Sequence, residues 1–437
     1  MYPTISDLIK DIFGVYIPLP VQSFGFFVAI AFIVAAWLLL LELRRKENEG
    51  IIFSLKKNVM IGKPASKQEL FWMALFGFII GYKLLGIIFN YKTFVENPQQ
   101  FMFSGEGNFF AGIVGAFAMA YYRYYEKQKT KLDKPRLEEV EVHPYELTGN
   151  IIMLGAVFGI LGSKLFDMLE NVENFQSIGN FIKALFSFSG LAFYGGLICA
   201  AIAIILYARK NKIRPLVICD IAAPAIMIAY AIGRIGCQTA GDGDWGILNS
   251  AYITTPESKV ELADDSAFIK TLEENKTYYF YEFKTDSLKN IPHITVKAPG
   301  FIPNWMVAYP YPNNVNDQGV ETKFLYNKNQ KHFSQLPIPV FPTPFYETVV
   351  CSLFFIVLWL IRKRIKISGI LFSIFLIMNG FERFFIEKIR VNIKYHILDW
   401  NVTQAEIISM MLIITGIILL VYILKNKKNI GEEKLNS

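Results

Sequence analysis

The chain has 437 residues, 53% hydrophobic, 15% aromatic and only 19% charged, which excludes an ordinary water-soluble domain. Its formal net charge of +7 is no sign of a nucleic-acid partner, because the basic residues sit in short loops beside apolar runs, where they set membrane topology. The four cysteines, Cys199, Cys219, Cys237 and Cys351, lie in or at the end of apolar runs. No disulfide framework is expected, and neither they nor the four histidines show metal-ligand spacing, so no metal is expected.

Residues 1–20 read as an interfacial segment. Within 4–16, Ile5, Leu8, Ile9, Ile12 and Phe13 share one helical face suited to a membrane surface. There is no basic n-region and no small-residue cleavage site, so no removable signal peptide is expected. Apolar runs follow at 21–43, 68–90, 108–126, 147–168, 186–207, 215–233, 345–362, 368–386 and 404–424. Each is long enough to cross about 30 Å of hydrocarbon as a helix. Basic clusters follow the first, third, fifth, seventh and ninth runs: Arg44 to Lys57, Lys127 to Arg136, Arg209 to Arg214, Arg362 to Lys366, and Lys425 to Lys428. The alternate loops at 91–107 and 169–185 carry only Lys92 and Lys183. The positive-inside rule then places the N-terminus outside and a basic tail, 425–437, in the cytoplasm.

The expected fold class is an all-α polytopic membrane protein of about nine transmembrane helices, with a small extracytoplasmic insertion containing β structure. The insertion, 247–338, separates two membrane parts, 21–246 and 339–424. Within it "KTYYFYEFKT" and "HITVKA" alternate as strands do. There is also an internal repeat. Residues 81–101 resemble 162–181, and 109–127 resemble 192–210, so spans two and three read as a copy of spans four and five. Both copies run in the same direction, unlike the inverted repeats of many transporters.

Polar groups within spans are costly and point to function. Several fall at one level: "AFYGGL" with Tyr194, Gly195 and Gly196; "GRIGCQTAGDGDWG" with Arg234, Cys237, Asp242, Asp244 and Gly246; "PTPFYE" with Tyr346 and Glu347; "FERFFIEKIR" with Arg383, Glu387 and Arg390; and Lys164 late in span four. Arg383 and Glu387 are four apart and share a helix face. Each residue also has a plain structural reading: an interfacial ion pair, a snorkelling arginine, a turn aspartate, a belt tyrosine. The functional reading rests on their convergence. Two or three arginines with nearby carboxylates and lipid access suit an anionic lipid phosphate, which guanidinium groups bind bidentately. Scramblases, lipid-linked transferases and lipid-flipping transporters all meet that description.

At these residues the sequence resembles the prolipoprotein diacylglyceryl transferases of bacterial inner membranes. The resemblance is carried by "FYGGLICAAIAIILYARK", "DIAAPAIMIAYAIGRIGCQTAGDGDWG", "PTPFYE" and "GILFSIFLIMNGFERFFIEKIR", in family order over 155–246 and 339–424, with a weaker match at 23–32. It implies transfer of the diacylglyceryl group of phosphatidylglycerol to the lipobox cysteine thiol of a prolipoprotein, without a cofactor, since the lipid carries its own leaving group. It further implies that Arg234 and Arg383 stabilise the departing phosphate, that Glu387 holds Arg383, and that Asp242 or Tyr194 assists removal of the thiol proton. Gly195, Gly196, Cys237, Gly246, Tyr346, Glu347, Arg390 and Lys164 would line the substrate site. The chain departs from the family pattern in Tyr194 for histidine, Cys237 for asparagine, Asp242 for glutamate and Phe24 for tyrosine. Spans two and three and most of the insertion are additional to the family core. The alternative is a non-catalytic relative that binds or moves anionic phospholipid or lipoprotein precursors.

Overall fold

The computed structural model describes residues 1–19, 21–91, 94, 101, 105–171, 192–243, 245–325, 331–390, 394–397 and 400–426. Residues 186–191 of the fifth predicted span, most of the 169–185 loop, Asp244 and the tail beyond 426 lie outside them. Among the described residues a helix stands at every predicted apolar run. These are α2 (Ser23–Asn48), α3 (Lys67–Phe89), α4 (Phe109–Lys129), α5 (Thr148–Glu170), α6 (Phe193–Lys210), α7 (Pro215–Ala240), α10 (Thr343–Ile361), α11 (Ile370–Glu387) and α12 (Gln404–Lys425). Six of them, α2, α3, α5, α7, α10 and α12, are long and apolar enough to cross a membrane. Broad lipid-type exposure accompanies this, with Phe117, Ile202 and Ile418 all more than half exposed. The chain is a polytopic helical membrane protein with only small sheets.

The amphipathic N-terminal stretch forms α1 (Ile5–Phe13), opened by a Thr4–Asp7 capping box and closed by Gly14 in the left-handed region. It buries Ile5 and exposes Ile12 and Phe13.

By its contacts the chain divides into two compact units: Met1–Ile17 with Val21–Leu39 and Arg214–Ser437, and Pro18–Pro20 with Leu40–Ile213. In the second unit, β1 (Leu55–Ile61) pairs antiparallel with β2 (Arg136–Val142), from Leu55 opposite Val142 to Ile61 opposite Arg136. Two helical hairpins, α3–α4 and α5–α6, use the same device. A Cβ on Gly81 would lie 2.3 Å from the Ala111 carbonyl oxygen, and one on Gly162 would lie 2.5 Å from that of Gly195. The Asn108 amide donates to Tyr82 O at 3.0 Å, and the Ala192 amide donates to Ser163 O at 3.1 Å. Small residues let these helices approach closely. The matched contacts shift the repeat by one residue, so Phe110 rather than Ala111 stands where the later hairpin has Tyr194.

In the first unit α7 packs on α10 and α11, and α11 packs along α12. Ala223, Met227, Cys351 and Phe375 are buried between the first three. The start of α11 is held from α7: the Gly369 and Phe372 amides donate to the Asp220 carboxylate at 2.7 and 2.8 Å. A carboxylate there satisfies amides that a helix start leaves unpaired and opposes the positive end of the dipole. Gly380 and Gly416 let α11 and α12 close to backbone contact.

The insertion is a small mixed module rather than a strand-dominated one. It contains β3 (Leu248–Asn249), β4 (Tyr252–Thr254), β5 (Val260–Leu262), β6 (His293–Ile294), β7 (Val320–Glu321) and β8 (Ser334–Gln335), with helices α8 (Asp265–Glu274) and α9 (Lys276–Glu282). The β3–β6 pair is parallel, while β4–β5 and β7–β8 are antiparallel. The expected strand in "KTYYFYEFKT" is helix α9. The aromatic run fits either period over so short a length. Helical winding buries Tyr279, stacks it on Phe283 four residues later and leaves Tyr281 in solvent. Of "HITVKA", only His293–Ile294 is strand. A further hairpin, β9 (Lys394–Ile397) and β10 (Trp400–Thr403), leads into α12.

Candidate functional site

Three helix ends meet at one end of the first unit: the last turns of α7 and α11 and the first turns of α10. At their centre is Glu347, whose side chain is fully buried. Its Oε2 pairs with Arg234 Nε at 2.9 Å, and its Oε1 lies 3.5 Å from Arg383 and 3.8 Å from Arg390. Tyr230, one turn before Arg234, donates its hydroxyl to Glu347 Oε1 at 3.0 Å and accepts from Arg234 at 3.1 Å. The Arg234 guanidinium also lies over the Tyr230 ring, 5.1 Å from its centroid. Arg383 reaches Glu387 at 3.2 Å across the predicted i,i+4 spacing. Three guanidinium groups therefore converge on one carboxylate in a largely buried setting. Buried charges persist only when paired in this way.

The Gly-rich segment after α7 joins the same cluster. Gly241 ends the helix with φ 70°. Gly246 donates its amide to Phe341 O at 2.8 Å, forms a bridge with Arg390, and is followed by an Ile247 amide bound to Ile389 O at 2.9 Å. A Cβ on Gly246 would lie 2.7 Å from Ile389 O, so no other residue fits where the three segments cross. This crossing fixes the Arg390 backbone beside the signature loop.

The other expected residues sit around this centre or elsewhere. Cys237 is buried, its Sγ 3.9 Å from Arg234. Asp242 accepts from Asn316 of the insertion at 3.4 Å, and its amide donates to Cys237 O at 3.2 Å. Tyr346 donates its hydroxyl to Met306 O, so it ties α10 to the insertion. Beside the loop, Gly243, Trp245, Gly246, Tyr278 and Glu282 line a cavity of about 130 Å³. Tyr194, Gly195, Gly196 and Lys164 belong to the second unit. There Gly195 and Gly196 press on Phe166 and Ser163 of α5, where a Cβ would come within 2.3 and 2.2 Å. Helix packing by itself calls for a small residue at both positions. Lys164 is buried on α5, and Tyr194 lies in the first turn of α6.

Two members of the cluster were not singled out from sequence. Tyr230 precedes Arg234 by four residues, a spacing that marks a shared helix face. Glu382, 4% exposed, precedes Arg383 and stands in electrostatic range of Glu347, Arg234, Arg383 and Arg390. Its signal was a third charge in an apolar span. The arrangement can bind one oxyanion among three guanidinium forks, since phosphate and carboxylate oxygens suit the same donors.

The family model for prolipoprotein diacylglyceryl transferases matches residues 109–422. The chain is 24% identical over 271 residues to phosphatidylglycerol–prolipoprotein diacylglyceryl transferase 1 of Clostridium perfringens, covering 62% of this chain and 76% of that one. It is 25% identical over 340 residues to the phosphatidylglycerol–prolipoprotein diacylglyceryl transferase of Staphylococcus aureus, with coverages of 77% and 91%. The enzyme of that name from Clostridium novyi is 26% identical over 310 residues, with coverages of 71% and 87%.

Proposed function

The chain belongs to the prolipoprotein diacylglyceryl transferase family, and from that premise we propose how its residues perform the transfer of the phosphatidylglycerol diacylglyceryl group to a prolipoprotein cysteine. The observation that carries the assignment of roles is the convergence of Arg234, Arg383 and Arg390 on Glu347. The acceptor thiol loses its proton and attacks the glycerol carbon of the lipid. A C–S bond forms, the C–O bond to phosphate breaks, and glycerol phosphate departs with the added negative charge. Arg234 and Arg383 meet that charge, because preorganised cations act strongly where water is excluded. Glu387 and Glu347 hold the guanidinium groups in place while the lipid phosphate engages them. Asp242 or Tyr194 assists in taking the thiol proton. A thiol has an ordinary pKa of about 8.5, and nearby cations lower it, so a site that keeps its arginines tolerates loss of a stronger base.

In this reading the protein crosses the bacterial inner membrane nine times, with α4, α6 and α11 spanning as well. The N-terminus faces outward, the C-terminus lies in the cytoplasm, and the site opens at the outer interface. The alternating basic loops support it. Reporter fusions near residues 130 and 430 should read inside, and one near 280 outside.

The test of function is transfer of labelled diacylglyceryl from phosphatidylglycerol to a lipobox peptide by the purified protein. Arg234→Gln and Arg383→Gln should abolish turnover. Lysine should fail to restore either, because it lacks the bidentate fork. A wild type that binds the lipid yet transfers nothing would mark a non-catalytic relative.

A further inference from the structure

The cavity beside the signature loop has no task in the transfer chemistry. It measures about 130 Å³, close to the roughly 150 Å³ that holds a benzene ring, so it admits a group of about six heavy atoms. Its walls come from the first unit alone: Trp245 and Gly246 of the loop, Tyr278, Tyr279 and Glu282 of α9 with Phe283 just beyond, and the segment 336–340. Trp245 is held against Tyr311 with ring centroids 4.7 Å apart, Tyr278 lies 5.0 Å from Tyr279, and the Tyr279 hydroxyl accepts from the Ile338 amide at 3.1 Å. The walls are therefore aromatic surface fixed from behind. Trp245, Tyr278, Glu282 and Phe283 are only partly buried, so the cavity has an open mouth.

One charged side chain lines it. Glu282 follows Tyr278 by four residues and shares its face of α9. Glu282 Oε1 accepts from Gln318 Nε2 at 2.9 Å, and among the described residues neither a cation nor a second donor meets this carboxylate. The bond also fixes which way round the Gln318 amide sits, because a flipped amide would set its oxygen against the carboxylate. Gln318 Oε1 is then a buried acceptor with no hydrogen-bond partner among the described residues. It lies 3.2 Å from where a Cβ on Gly243 would stand, and Gly243 lines the cavity. Aromatic faces, a carboxylate and an unmet acceptor together call for a ligand that is both a cation and a hydrogen-bond donor. The stem and ammonium of a lysine meet both demands and match the space.

Position decides where that lysine comes from. Gly246 lines the cavity and also bridges Arg390 of the arginine cluster, so cavity and cluster adjoin across one residue. Of the two substrates of the transfer, phosphatidylglycerol carries no amine, whereas a preprotein can.

We propose that this cavity is a subsite for the acceptor, taking a lysine side chain from the first few residues after the lipobox cysteine between the aromatic walls and Glu282. The proposal rests on reading the arginine cluster as the site of transfer.

The test uses the purified full chain in detergent and lipobox peptides that carry lysine, norleucine or glutamate at single positions after the cysteine. Norleucine keeps the stem and removes the charge. Binding is read by fluorescence anisotropy without lipid donor, and KM and kcat by transfer. With the wild type, lysine at one position should bind roughly tenfold more tightly than norleucine, the size of one partly desolvated cation contact, and the gain should appear in KM rather than kcat. In Glu282→Gln that ratio should fall below about threefold. In Glu282→Lys the preference should pass to the glutamate peptide. Ratios taken within one variant do not depend on how much of it is folded. No lysine preference at any position, or a wild-type ratio kept in either Glu282 variant, overturns the proposal. Displacement of the lysine peptide by phosphatidylethanolamine but not by phosphatidylglycerol in the same micelles also overturns it, giving the cavity to a lipid headgroup. A lysine preference in binding without any transfer would leave the subsite standing and overturn the assignment of function instead.

Discussion

Replacing Glu347 by Gln tests the central premise, that one buried carboxylate aims three arginines. Gln preserves volume and can still accept from Tyr230, but it removes the charge. Glu347 faces guanidinium groups at 2.9, 3.5 and 3.8 Å. At an effective dielectric of about 20, each such pair has a gross attraction of about 4 kcal/mol. Desolvation offsets much of that, and removing one member of a buried pair costs about 3–5 kcal/mol. If the loss falls on the orientation of Arg234 and Arg383, kcat/KM drops by roughly 10² to 10⁴. If it falls on folding, the midpoint of thermal unfolding drops instead, so both are measured on the same detergent-purified sample. Glu347→Asp keeps the charge but withdraws it by one methylene and should lie between. Transfer activity within about threefold of wild type, together with unchanged thermal stability, would refute the view that Glu347 organises the site.

Other outcomes are equally definite. Asp220→Ala leaves the Gly369 and Phe372 amides unpaired at the buried start of α11, and it should cost about 1–3 kcal/mol of stability, read by thermal unfolding. Gly246→Ala should lower transfer activity as well as the midpoint of thermal unfolding, because the added methyl displaces the segment that carries Arg390. Replacing 255–330 by a short linker should reduce transfer to a lipobox peptide, since Tyr346 and Asp242 bond to Met306 and Asn316 of the insertion; full activity in a correctly inserted variant would make the module dispensable. The Glu47 carboxylate, 2.6 Å from His143, raises the histidine pKa above its ordinary value. The stabilisation is therefore complete below the unfolded value of about 6.5 and is lost as pH rises through the folded one. A His143→Ala variant should lack that alkaline step in unfolding experiments.

The helices and the site were legible in the sequence to different degrees. Apolar runs of spanning length and charged loop ends are local properties, so among the described residues a helix stands at each predicted run. The Arg383–Glu387 contact followed from i,i+4 spacing alone. The aromatic stretch 276–285 was misread as a strand, because alternation over so few residues does not separate the two periods, and burial of Tyr279 against the module core decides between them. The sequence offers Glu347 as one candidate among many, and its position between three arginines depends on α7, α10 and α11 bringing their ends together. Glu382 was passed over, because a glutamate beside an arginine looks like an ordinary charge pair in one dimension. Its burial, without a hydrogen-bond partner among the described residues, exists only once the helices are packed. Spacing along one helix is set by covalent geometry and can be read from the chain. The contacts that pair charges across helices are set by packing, as at Gly246 and Gly380, where the absence of a side chain lets one backbone reach another.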